Sequence, residues 1–340
     1  MTESHILKYE NNRMTDFKPN PKLVDLINHL KSMLEPVQIG INDHFLNPKL
    51  PVMLILGSPR SGTTVLTQIC AASNSFAYPT NFLSRFAYAP IVGAMIQQML
   101  FDPTFDFRNE FFDIQPLVDF NSDIGKTDGT LGISEFFHFW RRFLPNHDPG
   151  YLSNDELLKV DINRMRSELA SIEAIFKKPF MSKGMMLQYN IKFFAQQVPE
   201  LFFMHIKRDP LFVMQSSLQS RRKYYSRDDI WWSVKPKEYE WLSSMDVYHQ
   251  VAGQVLFTEK AIDDQLSTVE EKRKLICNYE SICADPNQFY LMLKSKFNDL
   301  GHPLSEYYIK ENFPCGNVIR IEQNELNLLE RAYDELLNTK

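Results

Sequence analysis

The sequence lacks the features of a membrane-spanning, secreted or nucleic-acid-binding protein. No stretch reaches the roughly 18 consecutive apolar residues needed to cross a bilayer. Residues 1–20 are polar and contain no apolar segment of a secretory signal. The net charge is -5, whereas a nucleic-acid-binding domain normally carries a basic face. We therefore predict no transmembrane segment and no nucleic-acid partner, while a peripheral membrane contact and a local basic pocket stay open.

Cysteine is also scarce, with four residues in a chain of 340. Cys70, Cys277, Cys283 and Cys315 are scattered without the spacing of a metal site. The first three lie in apolar or helical contexts, where we expect reduced and buried thiols. Unpaired thiols favour a reducing compartment, so we predict a cytoplasmic location. With 44% hydrophobic residues the chain can bury a sizeable core, which excludes a disordered protein.

Short apolar runs alternate with helical patterns along the chain. Residues 51–56 form a continuous apolar run that stops at Gly57, as is typical of a buried parallel strand, and a helix is predicted over 63–72. Later strands are predicted at 179–182, 201–206 and 274–279, with helices following at 188–198, from Pro210, and at 286–298. This alternation predicts an α/β fold in which helices cover both faces of a central parallel sheet.

The organisation of the chain is predicted from the same patterns. Apolar residues at helical spacing indicate an amphipathic helix over residues 22–34. No repeat and no convincing linker divides the sequence, so we predict a single domain over residues 1–340. Its longest insertion, at about residues 81–176, is largely helical with irregular parts.

A phosphate-binding loop is predicted at residues 57–64, between the first strand and the helix after it. Two glycines in this segment permit a tight turn, and the helix that follows presents unpaired N–H groups to an anion. The spacing matches a nucleotide kinase loop, but Thr63 stands where such a loop needs lysine. The loop therefore argues against ATP hydrolysis and phosphoryl transfer, and Arg60 supplies a cation instead.

The sequence of this loop carries a resemblance to a known family. Arg60, Ser61, Gly62, Thr63 and Thr64, preceded by proline, resemble the loop of sulfotransferases that use 3′-phosphoadenosine-5′-phosphosulfate (PAPS). In that family the loop binds the 5′-phosphate and the sulfate of PAPS without a metal. The resemblance implies a P-loop-type three-layer sandwich, with a central parallel sheet flanked by helices.

A second resemblance follows the third predicted strand. Arg208 ends that strand and Ser216 lies eight positions on, which is the separation of the arginine and serine that hold the 3′-phosphate in the family. A guanidinium suits bidentate phosphate contact, and a hydroxyl adds a further donor. The neighbouring Ser217 could share the role. A weaker resemblance at Tyr279 implies a contact between this ring and the adenine.

The catalytic residues are predicted less directly. Lys183 resembles the family lysine that stabilises the oxygen bridging sulfur and the 5′-phosphate as the S–O bond breaks. The family histidine two positions later is Met185 here, and the family glutamate about twenty residues beyond the loop arginine is Asn81. Neither residue can take a proton, so both assignments of the base fail.

Other candidates for the base lie in the insertion. Glu135 and His138 stand among aromatic residues and would share one face of a helix, where desolvation raises a carboxyl pKa toward a useful range. An amphipathic helix with both side chains in water is the competing interpretation. Asp123 and Asp128 are further candidates, whereas His205 is interpreted as a core residue.

These observations predict a sulfotransferase that moves the sulfuryl group of PAPS to a hydroxyl or amine and requires no metal. The insertion would form the acceptor-side wall. We expect the acceptor to be a small molecule, a carbohydrate or a lipid, and a peptide acceptor stays open. The sequence does not give the oligomeric state. A nucleotide or small-molecule kinase and a non-catalytic PAPS-binding protein are the alternatives.

Overall fold

The computed structural model describes residues 12–106, 108, 110, 122–123, 125–146 and 148–339. The strands are β1 (Val52–Leu56), β2 (Ser122–Asp123), β3 (Lys126–Thr127), β4 (Phe180–Lys183), β5 (Leu201–Lys207) and β6 (Lys274–Asn278). The helices are α1 (Pro21–Asn42), α2 (Thr63–Ala72), α3 (Pro90–Phe101), α4 (Phe137–Trp140), α5 (Asn154–Leu157), α6 (Ile162–Phe176), α7 (Ile191–Gln197), α8 (Pro210–Tyr225), α9 (Tyr239–Leu242), α10 (Val247–Leu266), α11 (Tyr279–Ala284), α12 (Pro286–Asp299) and α13 (Gln323–Leu337). Within these described ranges, no helix is both long and apolar enough to cross a membrane.

The central sheet has four parallel strands in the order β4-β1-β5-β6. Val52 at the start of β1 pairs with Phe180 on one side and with Leu201 on the other. The strands β2 and β3 form a separate antiparallel pair within the insertion. The four strands predicted from the sequence are those of the sheet, and the prediction of a central parallel sheet flanked by helices is confirmed.

The two faces of the sheet are buried in separate apolar clusters. Val52, Leu54 and Leu56 of β1 belong to the cluster on one face, and Met53 and Ile55 belong to the cluster on the other face. Alternate side chains of a strand point to opposite faces, so a strand covered on both sides has no polar face. This explains the continuous apolar run in the sequence. Three of the thiols, at positions 70, 277 and 283, are buried and unpaired as predicted.

The helices begin and end close to the predicted positions. The helix after β1 matches its predicted range, and α8 begins at Pro210, where the Asp209 carboxylate accepts a hydrogen bond from Leu211 N at 2.9 Å. The first helix, α1, extends beyond the predicted range to Asn42. The described part of the insertion contains α3 to α6 and the β2–β3 pair.

A buried ion network fixes the insertion against the first helix. The Glu168 carboxylate is fully buried and accepts hydrogen bonds from Arg142, at 2.5 and 2.7 Å, and from Arg164, at 2.8 Å. Arg164 also pairs with Glu35 of α1 at 2.7 Å. Such a network is satisfied only as a whole, because removing one charge leaves its partner buried and uncompensated.

We expect the substitution Glu168→Gln to lower the free energy of unfolding by about 3 kcal/mol, because Arg142 keeps its charge but loses its buried counter-ion. Urea denaturation measures this change. The matched control is Glu270→Gln, which removes an exposed carboxylate 3.2 Å from Lys272 and should change stability by less than about 0.5 kcal/mol. Equal effects of the two substitutions would contradict a structural role for the network.

Candidate active site

A cavity of about 860 Å³ opens at the carboxyl-terminal edge of the central sheet. In a parallel α/β sheet this edge is where ligands bind, because the chain leaves neighbouring strands in different directions there. The side chains of the insertion and of the segment after α8 complete the walls. The polar lining includes Arg60, Thr64, Glu135, His138, Lys183 and Arg208.

The 57–64 loop has a backbone that few residue types can adopt. Arg60 and Gly62 have φ values of 74° and 101°, in the left-handed region. A β-carbon on Gly62 would also lie 2.5 Å from the ring of Tyr279. Glycine is therefore required at position 62 both for the turn and for the close approach of β6 and its following helix.

The loop passes directly into α2, whose first turn faces the cavity. Gly62 occupies the cap position and provides no side-chain hydrogen bond to the amides of this turn. The N–H groups and the helix dipole thus favour an anion at this point. Thr63 and Thr64 line the cavity, whereas Ser61 is fully buried with its hydroxyl close to Gly57 and its N–H bonded to the Ser58 carbonyl, so its contact with a ligand stays a prediction.

Lys183 is the last residue of β4 and is only 3% exposed. Its Nζ donates to Thr64 Oγ1 at 2.9 Å and lies 3.3 Å from Glu135 Oε1. The carbonyl of Gly125 is a third partner, at 3.4 Å. The ammonium is thus fixed beside the first turn of α2, where it adds a full positive charge to the partial charge of the helix terminus.

Arg208 follows β5 and lies over the ring of Tyr279, with 4.5 Å from guanidinium carbon to ring centroid. Its three nitrogens donate to the Arg60 carbonyl, the Gly316 carbonyl and the Asn317 side chain at 2.8 to 2.9 Å. Within the described part of the chain these bonds use three of the five N–H donors of the guanidinium. Tyr279 is 7% exposed and lines the cavity next to Arg208.

Ser216 connects the two sequence motifs. Its hydroxyl accepts a hydrogen bond from Arg60 Nε at 2.9 Å, and the Arg60 carbonyl in turn accepts from Arg208. Ser217 next to it is 1% exposed, which leaves Ser216 as the more accessible hydroxyl. The structure therefore brings Arg60, Arg208 and Ser216 together.

The helical interpretation of Glu135 is wrong. The helix α4 begins at Phe137, and Phe136 before it has a left-handed φ of 56°, so Glu135 and His138 do not share a helix face. Phe136 stacks on Phe139 with ring centroids 4.5 Å apart, and this packing turns the chain before the helix begins. Both titratable residues nevertheless line the cavity.

His138 differs from Glu135 in its surroundings. Its side chain is exposed at the cavity wall, yet the surrounding protein disfavours its charged form and lowers its pKa, and the charges of Arg141 and Arg85 lower it further. His138 is therefore held toward the neutral imidazole, which can accept a proton. Glu135 is partly exposed and is held by Lys183.

The remaining sequence candidates have mixed outcomes. Asn81 donates its amide to the carbonyls of Thr127 and Gly129, both at 2.9 Å, and so braces the loop after β3. Met185 and Asp128 line the cavity, and the side chain of Asp123 lies outside the described residues. His205 is fully buried, which confirms its interpretation as a core residue. Among the described residues, no group of three or more His, Cys, Asp or Glu is arranged to hold a metal.

Two features of the site were missed from the sequence. Gly316 and Asn317 contact Arg208 from a segment without regular structure, and Glu259 of α10 accepts a hydrogen bond from Ser58 N at 3.0 Å. No local pattern marks these residues, because their roles arise from distant parts of the chain meeting at the sheet edge.

Two solved structures resemble this chain in fold. Sulfotransferase STF9 from Mycobacterium avium shares 14% identity with it, with a TM-score of 0.56 over 96% of this chain and 88% of that chain. Sulfotransferase STF1 from Mycobacterium tuberculosis H37Rv shares 11% identity, with a TM-score of 0.50 over 82% of this chain and 73% of that chain. The predicted P-loop-type fold is confirmed by these neighbours.

The sequence comparison agrees with the fold. No curated protein matches the sequence significantly. Residues 51–290, which include the 57–64 loop and every strand of the central sheet, match the sulfotransferase family. The chain therefore belongs to the sulfotransferase family.

Proposed function

We propose that this protein transfers the sulfuryl group of PAPS to a hydroxyl or amine acceptor and releases adenosine 3′,5′-bisphosphate. The observation that carries the proposal is the convergence of three strand ends on one cavity: the 57–64 loop after β1, Lys183 of β4 and Arg208 after β5. Three separate cationic or N–H donor groups suit a ligand with several anionic groups.

The donor would bind along the edge of the sheet. The 57–64 loop and the first turn of α2 would hold the 5′-phosphosulfate, because N–H groups and helix dipole converge there. Arg208 and Ser216 would hold the 3′-phosphate, and Arg60 would serve as the cation of the loop for the 5′-phosphosulfate. Tyr279 supports Arg208 from below, and its contact with adenine stays a prediction.

The transfer requires charge stabilisation on one side of sulfur and proton removal on the other. A new bond forms between the acceptor oxygen or nitrogen and sulfur as the bond from sulfur to the 5′-phosphate oxygen breaks. Lys183 would stabilise the negative charge that develops on this leaving oxygen. Glu135, 3.3 Å from Lys183, would take the proton of the acceptor, with His138 as the second candidate on the same wall.

The acceptor would lie between the insertion and the segment after α8. Phe137 from the insertion, Tyr224 at the end of α8, and Trp231 and Trp232 after that helix line this side of the cavity. Aromatic faces suit flat rings and the apolar faces of sugars. We therefore propose a small-molecule, carbohydrate or lipid acceptor, and no metal is needed for the step.

Isothermal titration tests the donor site. We expect adenosine 3′,5′-bisphosphate to bind the wild type more tightly than ATP with magnesium. Arg208→Ala should weaken the binding of the bisphosphate by about 10- to 100-fold, because the phosphate loses a hydrogen-bonded cation. Arg331→Ala removes an exposed arginine of α13 and should leave binding unchanged. If ATP binds as tightly as the bisphosphate or more tightly, and Arg208→Ala has no effect, the kinase interpretation would be supported instead.

Steady-state kinetics test the assigned roles. We expect Lys183→Ala to lower kcat by about 100- to 1,000-fold, because the leaving oxygen loses its stabilising charge. Glu135→Gln should lower kcat by about 100-fold or more while the bisphosphate still binds, because the base that removes the acceptor proton is lost. Release of adenosine 3′,5′-bisphosphate is followed with the first acceptor that supports turnover.

The control for these variants is Lys272→Ala. Lys272 lies in the turn just before β6 begins, at the end of that strand away from the cavity. Its kcat should equal that of the wild type. If Glu135→Gln retains full activity and His138→Ala loses it, the base is His138. If both retain activity, neither residue is the base.

A further inference from the structure

A carboxylate lies directly beneath the phosphate loop. Glu259 of α10 accepts a hydrogen bond from Ser58 N at 3.0 Å with one oxygen, and its other oxygen lies 2.9 Å from His205 Nε2. Its position is unexpected, because a negative charge under an anion-binding loop opposes the ligand. Neither donor binding nor proton transfer, as proposed above, uses this residue.

The helix α10 presents a line of contacts to the loop and to the end of β5. The Ser58 hydroxyl donates to the Val255 carbonyl at 3.5 Å, one turn before Glu259. One turn after it, Asp263 accepts a hydrogen bond from Lys207 at 2.7 Å and lies 3.6 Å from His205 Nδ1. Residues four apart share a helix face, so these three contacts come from one side of α10.

The charge of Glu259 is maintained by its surroundings. Burial by itself would raise the pKa of this carboxyl, but hydrogen bonds and charge from His205, with the bond from Ser58, outweigh it and lower the pKa. The residue is therefore an ionised acceptor at neutral pH. An ionised carboxylate is a strong hydrogen-bond acceptor, so its position sets the direction of the Ser58 N–H.

The amides of the loop divide into two groups. Gly57 N donates to Gln188 Oε1 at 3.4 Å and Ser58 N donates to Glu259, so the first two N–H groups are directed into the protein. Ser61 N donates to the Ser58 carbonyl at 3.1 Å and closes the turn that contains Arg60. The N–H groups that follow enter α2 and face the cavity. Anchoring of the first half of the loop thus sets the direction of the second half.

We propose that Glu259 is a positioning residue. By accepting the hydrogen bond from Ser58 N–H, Glu259 orients the 57–64 loop to bind the 5′-phosphate. The inference rests on the proposed PAPS site. It assigns Glu259 to one half of the donor alone, because the 3′-phosphate residues Arg208 and Ser216 are not among its hydrogen-bond partners.

The test compares two halves of the donor as probes. Adenosine 5′-monophosphate and adenosine 3′-monophosphate are titrated by displacement of adenosine 3′,5′-bisphosphate. Glu259→Met removes the acceptor at similar volume. It should weaken the binding of the 5′-monophosphate by about 10-fold, because the Ser58 N–H is no longer held in one direction. The affinity for the 3′-monophosphate should stay within about twofold of that of the wild type. Glu259→Gln keeps an acceptor oxygen and should restore most of the 5′-monophosphate affinity.

Asp263→Asn is the matched control, since Asp263 lies near the same buried histidine one turn away and its contacts among the described residues are with His205 and Lys207 and not with the loop. It should leave both affinities unchanged. If Glu259→Met does not fold, Glu259→Asp, whose carboxylate is one methylene shorter, should show the same selective loss.

The possible outcomes separate this inference from the proposed function. An equal loss of both probes in the Glu259 variants, or the same selective loss in Asp263→Asn, overturns the positioning role while the donor site stands. Failure of the wild type to bind the bisphosphate or either monophosphate overturns both. Selective loss with rescue by glutamine supports both.

Discussion

Parallel pairing of β1 with β4 on one side and β5 on the other is the constraint on which the site depends. Parallel strands end at the same edge, so residues that follow them meet there whatever their distance along the chain. Lys183 contacts Thr64 across 119 positions, and Arg60 contacts Ser216 across 156. Both faces of these strands are buried in apolar clusters, which fixes the register and therefore the position of every side chain at the edge.

Each cation at this edge is held before a ligand arrives. Lys183 is nearly inaccessible and is oriented by a hydroxyl and a carboxylate, while Arg208 is supported by an aromatic ring and two carbonyls. Charges that are already oriented stabilise a developing charge without further rearrangement. The carboxylate of Glu135 lies 3.3 Å from Lys183 at the cavity, whereas Glu259 lies beneath the loop and contacts Ser58 and His205.

The sequence predicted the framework well because its signals are local. A buried run ending in glycine, or an arginine followed by proline at a helix start, is read from a few neighbouring residues. The loop at 57–64 and Arg208 were found in this way, Lys183 was assigned through its resemblance to the family lysine, and the three lie together. Local reasoning failed at Glu135, where the packing of Phe136 against Phe139 ends the extended chain one residue before the helix. It could not find Glu259 or Gly316, whose contacts depend on where α10 and the chain near residue 316 pack.

The most direct test of the account is transfer of a radiolabelled sulfuryl group from PAPS to a panel of hydroxyl and amine acceptors, with a chelator present throughout. The account predicts a labelled acceptor and an equal amount of adenosine 3′,5′-bisphosphate, with no transfer from ATP labelled in its terminal phosphate. Labelled product from ATP, or binding of PAPS without transfer to any acceptor class, would contradict the assignment of this site as a sulfotransferase centre.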